Sequence, residues 1–179
     1  YGVFFTEQET RRGKFFGSKI IPARGVWIEI ETEHDNVMYV RIDKKKKFPI
    51  TSLLRAMGMK TDEEIVGTFT TDAARVLVEA TLAKDPSKTP DDACVEIYKK
   101  LRDGEIASVE NAREFFASIF SSDRYDLSRV GRYHFNKRFD RSLEEKALTE
   151  TSLTKDDIKT IIEKIAELVK EKKIDGITE

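Results

Sequence analysis

The sequence predicts an α+β fold in which a small N-terminal antiparallel β-sheet packs with a C-terminal set of α-helices. Two observations carry this expectation. Up to about residue 43, runs rich in β-branched and aromatic residues are separated by Gly, Pro or Asp-Asn turns, which is the pattern of short strands. From Pro49 onward the apolar period changes to that of helices, and helix-start signals recur. The expectation is one domain over 1–179, mainly strands in 1–48 and mainly helices in 49–179. A chain of 179 residues with 39% hydrophobic and 36% charged residues can bury one real core. No apolar run approaches the roughly 20 residues of a membrane span, so a soluble chain with no membrane partner is expected.

The strands are read in "GVFF", "KFFGSKIIP", "GVWIEIETE" and "NVMYVRID". Pro49 then opens a helix in "PITSLLRAMG". "TDEE" at Thr61 and "TPDD" at Thr89 have the form of a capping box, with Pro90 suited to the first helical position and Gly104 stopping the second of these helices. A core helix follows from Ser108, with Ala112, Phe115, Phe116, Ile119 and Phe120 on one stripe. "RVGRYHFNKRFDR" is read as partly helical and "SLEEKALTETS" as a polar connection. The last helix repeats Ile158, Ile161, Ile162, Ile165, Leu168 and Val169 on one side, and Lys170, Lys172 and Lys173 end it as the helix dipole prefers. The single Cys94 falls on the apolar side of its helix, so a buried structural thiol in a reducing compartment is expected, and the cytoplasm with it. The chain starts without a signal-peptide pattern and without Met, which suggests a piece of a longer protein.

The net charge of -1 argues against a generally basic nucleic-acid binder, but the charge is unevenly spread. Residues 1–60 hold twelve Lys/Arg against seven Asp/Glu, leaving twenty against twenty-six in the remainder. A local footprint for a polyanion is therefore expected in the N-terminal third. Strand alternation sharpens its place: Val26, Ile28 and Ile30 point one way and Trp27, Glu29 and Glu31 the other. In the next strand Met38, Val40 and Ile42 form the apolar set, leaving Tyr39, Arg41 and Asp43 outward. If these strands pair, Trp27, Tyr39 and Arg41 share an exposed face, and the run Lys44, Lys45, Lys46, Lys47 leaves directly from it. Rings beside cations suit single-stranded nucleic acid, whose bases stack while Lys and Arg neutralise phosphates. Two plainer readings stay open from pattern alone: the lysines as a solvated face, and Trp27 as a residue covered by a helix or loop, with Arg41 paired to Glu29.

Catalytic motifs are missing from the sequence. It has no phosphate-binding Gly-rich loop, no H-E-x-x-H and no Cys pair for zinc. His34, in a predicted turn, and His134, in the basic segment, have no evident nucleophile or metal partner. The pairs Asp91-Asp92 and Asp156-Asp157 stand at predicted helix starts, where backbone N–H groups account for them.

Four collinear blocks, "KIIPARGVWIEIE", "VRIDKKKKFPITSLLRAMG", "VEIYKKLRDGE" and "SSDRYDLSRVGRYHFNKRF", together with the closing "LTKDDIKTIIEKIAELV", resemble the lobe domain of the β subunit of bacterial DNA-directed RNA polymerase. The resemblance covers essentially the whole chain, in the form that lacks a long insertion. It implies a non-catalytic part of a nucleotidyltransferase: one wall of the DNA cleft in transcription, facing the non-template strand and downstream duplex DNA. Its partners would be DNA, the other polymerase subunits and the rest of β. No cofactor is expected in this chain, since the catalytic Mg belongs to another subunit. The resemblance makes Trp27 the residue that stacks on an unpaired non-template base. Arg24, Arg41 and Lys44 to Lys47 match the basic block beside it, as backbone contacts. Ala83 departs from family members that carry an arginine there, which leaves Lys84 for any contact at that point. Residues that the family uses for a flipped guanine precede "GVFF" and follow the last helix, so only weak, nonspecific DNA binding is expected of this chain. In "RYDLSRVGRYHFNK", Asp126, Gly131 and Tyr133 are expected to hold the turn, with Arg129 and Arg132 bonded to neighbouring carbonyls or carboxylates. A second reading makes the domain a docking module for σ factor regions, transcription regulators or phage proteins through its acidic helical surface. A third, a standalone RNA-binding protein, predicts a natural start near Tyr1.

Overall fold

The computed structural model describes the backbone of residues 2–175 and the side chains through Glu171. Five antiparallel strands form a meander in the order β1-β2-β3-β4-β5: β1 (Gly2–Thr10), β2 (Gly13–Ile21), β3 (Ile28–Thr32), β4 (Met38–Ile42) and β5 (Phe48–Pro49). Eight helices follow: α1 (Ile50–Ala56), α2 (Asp62–Thr68), α3 (Asp72–Lys84), α4 (Pro90–Leu101), α5 (Val109–Ile119), α6 (Ser128–Arg138), α7 (Glu145–Leu148) and α8 (Lys155–Asp175). The α+β expectation is met, with the change from strand to helix at Pro49. The side chains of Lys172 and Lys173 lie outside the described residues.

Alternation turns the inner face of the sheet into core: Phe16, Ile20, Ile28, Ile30, Met38, Val40 and Ile42 are buried, and α8 packs on β2 and on α3. Of the expected stripe of α8, Ile158, Ile161, Ile162 and Ile165 have no exposed surface, while Leu168 and Val169 are half-buried against the core. Among the described residues one apolar cluster runs from Phe16 in β2 to Ala166 in α8, so sheet and helices close on a shared interior. No helix of the described residues is long and apolar enough to cross a membrane.

The caps are made as predicted, with a small change. Thr61 accepts from Glu64 N (3.0 Å) and Thr89 from Asp92 N (3.1 Å), but the Glu64 and Asp92 carboxylates bond the N–H groups of Lys60 and Lys88, one residue further back than a capping box requires. Three elements go beyond the sequence reading. β1 continues past "GVFF" through the polar "TEQET", because the hairpin turn at Arg11-Arg12 holds it in register with β2 and backbone pairing needs no apolar side chain. Residues 67–85, for which the sequence reading names no element of their own, contain α3, capped by Thr71 on Ala74 N. The "polar connection" after α6 carries the short α7.

Asp157 is more than a helix-start acid. It accepts from Thr154 N (2.9 Å) as the dipole argument predicts, but it is fully buried and also takes both Arg132 guanidinium nitrogens (2.8 Å each) and Arg141 Nη1 (2.7 Å). Arg132 gives its remaining donors to the carbonyls of Glu150 (2.6 Å) and Ser152 (2.7 Å). Burial alone would push the Asp157 carboxyl up; the Arg132 hydrogen bonds and charge, with Thr154 and Arg141, outweigh it and hold the group below the usual carboxylate range. The expected turn around Asp126 is present: Arg24 and Asp126 exchange backbone bonds (3.1 and 2.8 Å), and Asp126 caps Ser128 N (2.8 Å). Gly131 is buried, and Arg129 pairs with Glu145.

Candidate nucleic-acid interface

The site is built on the β3–β4 pair. Its register sets Glu29 opposite Arg41 and Glu31 opposite Tyr39, so the outward set expected from alternation does share one face. Trp27 departs slightly from the expectation. It precedes β3 instead of lying within it, yet its carbonyl accepts from Asp43 N (3.0 Å), which adds one rung to the ladder and fixes the indole at the end of the sheet. Trp27 is 38% exposed, so the indole is not fully covered.

The chain leaves β4 through a strained turn. Asp43 and Lys44 have φ of 58° and 57°, and Lys45 N donates to Ile42 O (3.2 Å), the arrangement of a tight turn with both central residues left-handed. Such turns favour Asn-Gly. Asp43 and Lys44 each bear roughly 1 kcal/mol of backbone cost there. The consequence is geometric: Lys44 Nζ lies 5.0 Å from the centre of the Trp27 ring.

The four lysines go four ways. Lys44 covers Trp27. Lys45 offers its carbonyl to Arg41 Nη1 (3.2 Å) and lines a cleft of about 450 Å³. Lys46 pairs with Asp103 in the α4–α5 loop (3.0 Å), with both side chains more than half exposed. Lys47 pairs with Glu33 and lies 4.5 Å over the Tyr39 ring. Arg41 reaches Glu31 (3.7 Å), the diagonal neighbour, and not Glu29 opposite it.

Arg24 and Lys84 stand apart from this row. Arg24 bonds the Ser122 carbonyl (2.8 Å) and, with its backbone tied to Asp126, holds the 121–126 loop against the sheet. Lys84 ends α3 on the other side of β5. Sequence reasoning missed Arg102 and Arg124, which the fold brings to the rim of the Lys45 cleft, over a floor that includes Val26, Leu101 and Phe115. Arg102 lies 5.1 Å over the Phe115 ring. Neither arginine stands in an unbroken run of like charge, so no local signal marked them.

Elsewhere the candidate catalytic groups are occupied or plain. His34 Nε2 is 3.0 Å from Arg12 Nη1, and His134 is exposed on α6. Cys94 is buried as expected, and burial, then the Asp91 carboxylate, push its thiol up. Among the described residues no group of three or more His, Cys, Asp or Glu is placed to hold a metal ion.

Comparison with known proteins adds to this geometry. The family model for RNA polymerase Rpb2, domain 2, matches residues 3–177. The DNA-directed RNA polymerase subunit beta of Clostridium kluyveri is 50% identical over 139 residues, and that of Clostridium botulinum strain Hall 48% over the same length. In both cases the match covers 76% of this chain and 11% of the relative, so the chain spans a small part of the proteins it matches.

Proposed function

The chain belongs to the RNA polymerase Rpb2 domain 2 family, the lobe of the β subunit, and from that premise we propose that it forms one wall of the polymerase DNA cleft and holds an open DNA strand on the Trp27 face. The observation that carries this reading is the pairing of the protein's one tryptophan with a lysine at the end of an exposed sheet face. An indole has two faces. Lys44 covers one, and the other can take an unpaired base, which is worth roughly 1–3 kcal/mol per stacked base. Lys45, Arg41, Arg102 and Arg124 lie around the same end of the sheet and can neutralise phosphates without reading sequence. Backbone strain at Asp43 and Lys44 supports the reading, since strained backbone concentrates where a side chain must be aimed.

The chain contributes no catalytic group in this role; it binds and orients. The test is salt-titrated binding of single-stranded and bubble DNA to wild type and Trp27→Ala, together with open-complex lifetime in the whole polymerase carrying the same substitution. Weaker binding and a shorter lifetime are expected. Binding that does not depend on salt, with a lifetime that Trp27→Ala leaves unchanged, would remove DNA from this face.

A further inference from the structure

The cleft beside Trp27 is richer in apolar side chains than phosphate binding requires. Val26 and Ile42 at the end of the sheet face Leu101 of α4 and Phe115 and Ile119 of α5 across it. A hydrated phosphate gains nothing from such a floor, whereas an apolar body laid on it releases water. The volume, about 450 Å³, falls within the roughly 300–1,000 Å³ of small-molecule sites, which are mostly apolar with a few placed polar groups.

The walls are held in place. Gly25, at φ 124°, lets the chain pass against the 121–126 loop, where a Cβ would come within 2.9 Å of the Arg124 carbonyl. The backbone bridge between Arg24 and Asp126 and the rung between Trp27 and Asp43 fix the two sides of that passage. Tyr98 meets Phe115 edge-on (5.2 Å between centroids, 76° between planes), which sets the ring that lines the cleft. The Arg102 guanidinium lies 5.1 Å over that same ring. Its one polar side-chain partner among the described residues is Glu105, at a long 3.5 Å with both groups half exposed. Such a pair contributes little and leaves most of the planar set of N–H donors for an anion. Three cationic residues, Lys45, Arg102 and Arg124, line the cleft against one carboxylate, Asp43, so its balance favours a negative occupant.

We propose that this cleft is a binding site for a small aromatic carboxylate, with the ring on the apolar floor against Phe115 and the carboxylate bonded by Arg102. The proposal goes beyond the DNA reading and does not rest on it. The two share Arg102, so a bound carboxylate would compete with strand phosphate at that point.

The test titrates naphthoate, and naphthalene methanol as its uncharged counterpart, into the chain by calorimetry, with amide NMR shifts to locate the site. Naphthoate should bind the more tightly and move the amides of Gly25, Ser118 and Arg124. Arg102→Gln removes one charge-assisted pair, so it should weaken naphthoate roughly tenfold or more and leave the alcohol unchanged. Phe115→Leu, checked for a native circular dichroism spectrum, should weaken both compounds alike. Arg102 is half exposed, so Arg102→Gln decides the matter even where the Phe115 variant does not fold. Equal binding of the two compounds by wild type, or an affinity for naphthoate that Arg102→Gln leaves intact, overturns the proposal. So does binding of neither compound, or a folded Phe115→Leu variant with both affinities unchanged. Shifts centred on Val76 and Val169, in the apolar groove between α3 and α8, overturn it as well. None of these outcomes bears on the Trp27 reading.

Discussion

Arg132 and Lys44 are both cations set against an aromatic ring, Arg132 at 5.3 Å from Phe135 and Lys44 at 5.0 Å from Trp27, yet they contribute in opposite ways. Arg132 is 2% exposed, and its guanidinium is used up by Asp157, two carbonyls and Asn136. Lys44 is exposed, held only by a ring, and its backbone is strained. The first arrangement leaves no donor for a ligand, so its whole effect is on folding. The second leaves most of the charge unspent, so under the proposed function its effect would be on what binds. Charge in this protein is partitioned by burial: the α6–α8 knot fixes the fold, and the β3–β4 end of the sheet carries exposed cations, the ones to which the proposed function assigns recognition.

The sharpest way to break this partition is Asp157→Ala, which strands Arg132 without a counter-charge. A loss of about 3–5 kcal/mol is expected, read from the denaturant midpoint, and it would consume much of a typical domain's stability. Replacing both partners, Arg132→Met with Asp157→Leu, should recover a large part of that loss, because no buried charge is left alone. If the single and double variants unfold together, the knot is not what holds α6 to α8.

The same pair gives a pH dependence. The folded Asp157 carboxyl lies below its ordinary value, so its stabilisation is fully present above the ordinary carboxylate range and is lost as pH falls through the folded value. Acid unfolding followed by circular dichroism should begin below about pH 4, and Asp157→Asn should flatten that limb.

At the other pole, Trp27→Ala should cost about 1–3 kcal/mol of single-strand affinity and leave the melting temperature nearly unchanged, since the residue is more than a third exposed. A melting temperature that falls along with affinity would mean that Trp27 belongs with Arg132 among the structural residues. The smallest effect belongs to Lys46→Ala. Its pair with Asp103 is exposed on both sides and should contribute no more than about 0.5 kcal/mol to stability. The substitution should still lower the salt slope for single-stranded DNA by about 0.7.

Local sequence alone accounts for the strand-to-helix change at Pro49, the caps at Thr61 and Thr89, the buried stripe of α8 and the outward set of Trp27, Tyr39 and Arg41. Each depends on a period of two or 3.6 residues, or on a side chain bonding the backbone three positions away, and local chemistry settles such matters. The family resemblance likewise needed only collinear blocks. Packing between elements settled the rest. It split one lysine run into four environments, because the left-handed turn at Asp43-Lys44 rotates successive side chains apart and Glu33 and Asp103, remote in sequence, arrive to take two of them. It made Asp157 a buried partner of Arg132 and Arg141, when the helix start around it gave reason only for a backbone cap. It carried Arg102 and Arg124 to the Trp27 end of the sheet through helix packing that no local pattern encodes. Spacing along the chain fixes which way a side chain leaves its own element; which charges meet across elements is set by how the apolar faces close.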